Sequence, residues 1–165
     1  MPAYYLESSA AIKAYDAEAG SRWMVDLING LETEALLLGH LAVVEITSGL
    51  RRKRAAIDGA HLSEGVRRAR NGELRAATAR FQADVVRPRY TLVSVTAGII
   101  QSAAALADEH ALRGYDAVHL ATVRMLADNN RELNRASVEL VSADRELLAA
   151  AAEEGLVCWN PNEQE

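Results

Sequence analysis

The fold is decided by the stretch VELVSADRELLAAAAEEGLVCWN, residues 138–160. It begins with a β-branched run (138–143), continues with an alanine- and leucine-rich run (144–154) and ends in a second strand-like run (155–160). A strand, a crossover helix and a further strand in this order are typical of a parallel sheet. Further strands are predicted towards the N terminus, separated by helical segments, at 3–6, 34–39 and 90–95. The sequence therefore predicts an α/β fold, a three-layer α/β/α sandwich with a central parallel sheet of four to five strands.

The size and composition of the chain indicate one ordinary globular domain over residues 1–165. Half of the residues are apolar and a quarter are charged, as in typical globular proteins. Apolar runs are strand-length, far below the roughly 20 residues of a membrane span, and the opening MPAYYLESSA does not look like a secretory signal. The single Cys158 cannot form an internal disulfide. A cytoplasmic protein without membrane contact is predicted.

An arginine-rich stretch lies between the second and third predicted strands. Residues 51–89 carry a balance of +7, although the whole chain carries −5, so the remainder is strongly acidic. Helical composition interrupted by Asn71-Gly72 predicts a helical hairpin at about 58–89. At the start of the basic stretch stand Arg51, Arg52, Lys53 and Arg54. Two interpretations stay open for it: contact with nucleic-acid phosphates, or a solvated surface with ion pairs such as Glu64 with Arg68.

Four carboxylates are candidates for a functional site. Glu7 and Asp144 directly follow predicted strands, so both leave the same edge of the sheet if those strands are neighbours. Asp116 opens a nearly all-apolar helix, and Glu45 is set among apolar residues of another helix. Carboxylates crowded together repel one another unless a cation binds among them. Oxygen ligands alone favour Mg²⁺ or Mn²⁺, which can activate water for hydrolysis of a phosphodiester.

Each acid also has a purely structural interpretation. Asp116 and Asp144 could be N-terminal helix residues, which the helix dipole favours. Glu7 could be a solvated residue at a strand end, and Glu45 could pair with Arg51 or Arg52. Taken singly, these interpretations are favoured, and only the four acids together indicate a site.

Other catalytic equipment is missing from the sequence. No phosphate-binding glycine loop, nucleophile elbow or H-E-x-x-H motif occurs. His119 lies one helical turn after Asp116, and a packing role is favoured for it over orienting that acid or contacting substrate. Metal-dependent hydrolysis is therefore the chemistry that the residues favour.

The chain resembles the PIN-domain ribonucleases, and among them the VapC-like toxins of type II toxin–antitoxin pairs. The resemblance rests on YYLESSAAIKAY (4–15), VVEITSGLRRK (43–53), LRGYDAVHLATV (112–123) and LVSADRELLAAAAEEGLVCWNP (140–161). It covers nearly the whole chain, and the last two motifs are the most distinctive. What the resemblance implies is a PIN-like, metal-dependent endoribonuclease, usually a homodimer, that cleaves structured RNA such as tRNA or rRNA and is silenced by a small antitoxin.

The resemblance also implies roles for individual residues. It makes Glu7, Glu45, Asp116 and Asp144 the catalytic and metal-binding acids. Ser142 stands at a position that is often Ser or Thr, and we predict that it contacts substrate. One departure stands out, because the family usually has Asp where this chain has Glu7. The extra methylene moves the carboxylate by about 1.5 Å, and displacements on the order of 1 Å can cost about a hundredfold in rate.

Two alternative functions follow from these observations. The departure at Glu7 motivates a catalytically weak PIN-like module that binds RNA or a protein partner. A metal-dependent phosphatase for small molecules would share acids at strand ends, but it would need no arginine track along residues 51–89. An endoribonuclease toxin is the leading hypothesis.

Overall fold

The computed structural model describes residues 1–87 and 89–164. Within them the strands are β1 (Ala3–Leu6), β2 (Leu36–Gly39), β3 (Thr91–Val93), β4 (Val138–Val141) and β5 (Cys158–Trp159). The helices are α1 (Ser8–Ala11), α2 (Ser21–Gly30), α3 (His40–Gly59), α4 (Glu64–Val86), α5 (Ala97–His110), α6 (Gly114–Glu132) and α7 (Arg145–Glu153). Short 3₁₀ turns lie at Ile12–Ala14, Thr33–Ala35 and Pro161–Glu163. Every predicted strand is present, and each lies within its predicted range.

The five strands form one parallel sheet in the order β3-β2-β1-β4-β5. The first strand is central, with Leu6 paired to Leu38 of β2 on one side and to Val141 of β4 on the other. The chain winds outward in one direction from β1 to β3 and then returns to the opposite side with β4. Ligand sites of open α/β sheets form where the winding reverses, beyond the carboxyl ends of the strands. Here that place lies between β1 and β4.

Helices cover both faces of the sheet, as the three-layer prediction requires. Successive residues of a strand point to opposite faces, so Tyr5 packs in a core with α5, α6 and α7, whereas Leu6 packs in a second core with α1 to α4. The first core consists mainly of alanine, valine, leucine and isoleucine, whereas the second also contains Tyr15, Phe81 and Tyr90. Among the helices of the described residues, none combines the length and apolarity needed to cross a membrane.

Side-chain caps explain where several helices begin. The hydroxyl of Ser63 accepts from the Val66 N–H at the start of α4, and the hydroxyl of Thr96 accepts from the Ile99 N–H at the start of α5. These bonds satisfy N–H groups that lack a partner inside the helix.

The helical hairpin differs from its prediction. Asn71 and Gly72 lie inside α4, which runs unbroken for 23 residues, because a single glycine costs a helix only about 1 kcal/mol. The hairpin therefore consists of α3 packed against α4, with the connection at residues 60–63, and does not lie within 58–89 as expected. Within that range, Pro88 lies outside the described residues.

Candidate metal centre

Glu7 lies at the carboxyl end of β1 and is almost fully buried, with 4% of its surface exposed. Its Oε1 accepts from the Ser8 hydroxyl at 2.5 Å, and its Oε2 accepts from the Ser142 hydroxyl at 2.9 Å and from the backbone and hydroxyl of Ser9. The expectation of a solvated strand-end residue is therefore wrong for Glu7. Four hydrogen bonds fix the carboxylate against the end of β4.

Ser142 connects Glu7 to the loop that follows β4. Its side chain is fully buried, and its hydroxyl accepts from the Asp144 N–H at 3.0 Å while it donates to Glu7. The strands β1 and β4 are neighbours, which is the condition under which the sequence predicted that Glu7 and Asp144 leave one edge of the sheet.

Asp144 is the N-cap of α7. Its Oδ1 accepts from the N–H groups of Glu146 at 2.8 Å and Leu147 at 3.0 Å. The structural interpretation of this acid is thus correct, and it does not conflict with a functional one. Oδ2 accepts no hydrogen bond from the described residues, so one oxygen remains for a ligand.

Glu45 reaches the same edge from α3. Its Oε2 lies 2.8 Å from Nε2 of His119 on α6, so the two helices on opposite faces of the sheet meet here. The alternative partners Arg51 and Arg52 form no ion pair with Glu45. Because an ionised carboxylate only accepts, the Nε2 of His119 carries the proton.

The ring of His119 is fixed by a second hydrogen bond, on the nitrogen that does not contact Glu45. Its exposed surface is 1%, and its Nδ1 lies 2.8 Å from the hydroxyl of Tyr5 on β1. Burial raises the pKa of Tyr5, with a smaller lowering by a hydrogen bond from Thr122 and further raising by the charges of Glu7 and Glu45. The phenol is therefore neutral, and its hydroxyl forms a hydrogen bond with Nδ1. A chain of hydrogen bonds runs from Tyr5 through His119 to Glu45.

The role of His119 was missed at the level of sequence. Packing was favoured, with Asp116 as the neighbour it could orient, whereas its bonded acid is Glu45, 74 residues away along the chain. An apolar helix face that contains one histidine was the available signal. The partner could not be found without knowing that α3 and α6 converge.

Asp116 lies in the first turn of α6, beside the other acids. Burial raises the pKa of Asp116, and the charges of Asp144 and Glu7 raise it further, against smaller lowering effects of His119 and Arg113. The carboxylates therefore repel one another electrostatically, which requires that they be close. Asp116 also lines a cleft together with Glu45. The Ser142 hydroxyl bonds both Glu7 and the Asp144 N–H, so acids from four separate segments of the chain lie near one edge of the sheet.

The donor set fits a divalent cation. Carboxylate oxygens of Glu7 and Glu45 and a ring nitrogen of His119 all lie within 4.8 Å of one another. The charges of Glu7 and Asp144 raise the pKa of Asp116, so these acids interact electrostatically. Within the described chain, no Lys or Arg forms an ion pair with any of the four acids, whereas twelve ion pairs occur in total. One buried and three partly buried carboxylates without a lysine or arginine partner are a favourable site for a hard metal ion.

The predicted phosphate-binding residues of α3 have different surroundings. Arg52 lines an open cleft beside Glu45 and donates to the Ser48 hydroxyl at 3.1 Å. Lys53 instead donates to Asp16 at 2.7 Å and to Glu18 at 2.9 Å. Arg51 is exposed, and Arg54 is half-buried. The sequence left open whether these residues bind phosphates or form ion pairs with the protein. Lys53 forms ion pairs, whereas Arg52 has no acidic partner among the described residues.

An ion network anchors the basic hairpin to the loop after α1. We use this term for Lys13, Asp16, Glu18, Lys53 and Arg70, joined by the pairs Lys13–Glu18, Lys53–Asp16, Lys53–Glu18 and Arg70–Asp16. Burial raises the pKa of Asp16, but hydrogen bonds from Lys53 and Arg70 outweigh it and hold the pKa below its ordinary value. The expected surface pair Glu64–Arg68 is also present, at 2.5 Å.

A parallel α/β sheet with a cluster of partly buried carboxylates at its winding reversal is typical of a metal-dependent hydrolase. The PIN domain model matches residues 4–154. The chain is also 34% identical over 128 residues to "Ribonuclease VapC45" of Mycobacterium tuberculosis (strain CDC 1551 / Oshkosh), which covers 78% of this chain and 79% of that protein. The same figures hold for "Ribonuclease VapC49" of Mycobacterium tuberculosis (strain ATCC 25618 / H37Rv). The chain belongs to the PIN domain family, and its similarity to these two proteins makes it VapC-like.

Proposed function

We propose that the protein is a metal-dependent endoribonuclease that hydrolyses RNA phosphodiester bonds at the carboxylate cluster. The single observation that carries this proposal is the convergence of Glu7, Glu45, Asp116 and Asp144 without a lysine or arginine partner among the described residues. The two ribonucleases with which the chain shares 34% identity support RNA as the substrate.

The four acids share one task in this proposal, which is to bind the metal ion. Glu7, Glu45, Asp116 and Asp144 would hold Mg²⁺ or Mn²⁺, because oxygen-only ligands select hard cations that keep waters for the reaction. When bound, such an ion lowers the pKa of an attacking water and offsets charge on the phosphate and the leaving oxygen. No side chain of the cluster is a nucleophile.

Two buried side chains act as positioning residues. His119 orients the Glu45 carboxylate through the bond at 2.8 Å, and its own ring is fixed by Tyr5. Ser142 orients Glu7 and the Asp144 backbone; we assign it this role in place of the predicted contact with substrate because its side chain is fully buried. Outer partners of this kind set the direction in which ligand oxygens point.

Among the basic residues, Arg52 is the best placed to contact an RNA phosphate. It lines the cleft next to Glu45 and has no acidic partner among the described residues. Arg51 and Arg54 remain candidates for phosphates further along the strand. Lys53 is committed to Asp16 and Glu18, so we assign it to the stability of the fold.

The biological setting is part of the same proposal. A cytoplasmic toxin that acts on structured RNA such as tRNA or rRNA, forms a homodimer and is silenced by a small antitoxin agrees with the VapC-like sequence. A single PIN-like domain over residues 1–165 is proposed with it.

Cleavage of total RNA tests the proposal. The native chain should cut RNA with added Mn²⁺, EDTA should abolish the cut, and Asp116→Asn should abolish it as well. Asp108→Asn is the matched control, because Asp108 is an exposed acid on α5 away from the cluster. Cleavage that survives both EDTA and Asp116→Asn would refute the metal mechanism. Binding of RNA without any cleavage by the native chain would instead favour the catalytically weak module that Glu7 motivates.

A further inference from the structure

Two clefts flank the carboxylate of Glu45, and both are lined by the same exposed tyrosine. The α3 cleft, of about 490 Å³, includes Ile12, Val44, Glu45, Ser48, Arg52 and Tyr115. The α6 cleft, of about 350 Å³, includes Glu45, Arg113, Gly114, Tyr115 and Asp116. Both volumes fall in the range of small-ligand sites, roughly 300–1,000 Å³. Tyr115 therefore stands at the boundary between two hollows that meet at a proposed metal ligand.

Tyr115 is a large aromatic residue that the fold leaves uncovered. It is 61% exposed, although the next turns of α6 are buried. The neighbouring Val44 on α3 is 66% exposed. Exposed aromatic side chains next to charged groups are the usual platforms on which unpaired bases stack. Among the described residues, the side chain of Tyr115 has no hydrogen bond or ring contact.

Each cleft also provides one arginine that is free of acids. Arg52 in the α3 cleft and Arg113 in the α6 cleft form no ion pair with any described residue, whereas Lys53, Arg68 and Arg70 do. An exposed guanidinium that forms no ion pair is available to bind an anion such as phosphate. The two arginines line different clefts, and both clefts include Glu45 and Tyr115.

We propose that the two clefts bind the consecutive unpaired nucleotides on either side of the phosphate to be cut, with one base stacked on Tyr115. Arg52 and Arg113 contact the flanking phosphates. A duplex would hide the face of each base from the ring, so the ligand is a single-stranded segment or loop. The inference rests on the proposed function and specifies the RNA that the same site accepts.

Binding of a labelled, unstructured 12-nucleotide RNA tests the inference by fluorescence anisotropy. All arms contain Asp116→Asn and Mn²⁺, so that cleavage does not interfere. Tyr115→Ala should weaken binding about 5- to 150-fold, as loss of one base stack does, and Tyr115→Phe should stay within about twofold because the ring face remains. The same RNA as a duplex should bind more weakly and should not respond to Tyr115→Ala.

Salt titrations test the arginines separately. Arg52→Gln and Arg113→Gln should each reduce the slope of log affinity against log salt by about 0.7, the contribution of one phosphate contact in single-stranded RNA. Arg22→Gln is the control, because Arg22 is exposed on α2 with Asp26 as its partner.

Three outcomes would overturn the inference. They are an unchanged affinity of Tyr115→Ala, which would leave the ring to a protein partner, an equal loss in Tyr115→Phe, and tighter binding of the duplex. Mn²⁺-dependent cleavage by the native chain is measured in parallel. Failure of cleavage with Tyr115-dependent binding intact refutes the proposed function, whereas cleavage with Tyr115-independent binding refutes only the two-cleft inference.

Discussion

The charged side chains in the two halves of α3 have different kinds of partner. In the first half, Glu45 has a histidine as its partner and no lysine or arginine among the described residues. About two turns later, Lys53 is bound by Asp16 and Glu18. The comparison separates two kinds of charge. Charges that stabilise the fold are neutralised by ion pairs within the protein, whereas charges of the site lack such pairs and can bind an ion from solution. Substitutions in the two halves should therefore affect different measurements.

The largest effect is expected at the carboxylates. Glu45→Gln should lower Mn²⁺-dependent RNA cleavage by more than about 100-fold, since changes to the outer partners of metal ligands already cost about 10–100-fold. The melting temperature should stay the same or rise, because one repelling charge disappears. Single-turnover cleavage and thermal unfolding measure the two effects. A melting temperature that falls sharply would mean that Glu45 is a structural residue.

The ion network should give the reverse pattern. Asp16→Asn removes the charge that Lys53 and Arg70 share, and should lower the free energy of unfolding by about 1.5–3 kcal/mol, the range for hydrogen bonds to charged groups. Cleavage per folded molecule should change little. Urea unfolding checks the first expectation, and the control is Asp26→Asn, whose partner Arg22 is highly exposed. Loss of cleavage without loss of stability would break the distinction between the two halves.

His119 should affect metal affinity more than stability of the metal-free protein. His119→Gln should weaken Mn²⁺ binding by about 10–100-fold, measured by electron paramagnetic resonance of free Mn²⁺. Tyr5→Phe keeps the ring and loses the bond to Nδ1, so its effect should be smaller and in the same direction. Electron spin echo spectra of the native protein should lack the modulation of a directly bound nitrogen. A strong nitrogen signal would make His119 a metal ligand instead of a positioning residue.

Glu7 tests how closely the site is adjusted to its own acid. Glu7→Asp should raise or preserve Mn²⁺-dependent cleavage, because Asp is the usual family residue and the hydroxyls of Ser9 and Ser142 remain as partners. The matched variant Glu7→Gln, which keeps the length and loses the charge, should be the weaker enzyme. If Glu7→Asp clearly loses activity, the longer side chain is required and the position has been misinterpreted.

The smallest effect is a dependence of stability on acid pH. The pKa of Asp16 is lowered by folding, so its ion pairs stabilise the protein above the ordinary value of 3.8. This contribution is lost as the pH falls below that value towards the folded pKa. Unfolding measured between pH 5 and roughly pH 3 should show a shallower loss for Asp16→Asn than for the native chain. Equal slopes would show that other acids govern acid unfolding.

The fold was predictable because its signals are local. Short apolar runs at 34–39 and 138–143 alternate with alanine-rich helices, and parallel connections require such crossovers. Asn71-Gly72 misled the prediction, since the packing of α4 against α3 outweighs the weak helix propensity of two residues. Local signals thus fixed the elements, and tertiary contacts decided one helix boundary.

The site was only partly predictable, because its contacts are distant along the chain. Glu7 and Asp144 could be brought together by the rule that strand ends share an edge, but Glu45 and His119 meet from opposite faces of the sheet. The same limit applies to Lys53, whose partner Asp16 lies 37 residues earlier. Sequence identified the charges, whereas only the packed structure tells which of them are neutralised.

The central position of β1 has a consequence for folding during translation. Ala3 pairs with Val138, so the first strand receives its second neighbour only after 135 further residues have been made. Asp144 follows that neighbour directly. A nascent chain therefore cannot assemble all four acids before Asp144 has left the ribosome, which delays the appearance of a nuclease of the proposed kind beside the translation machinery.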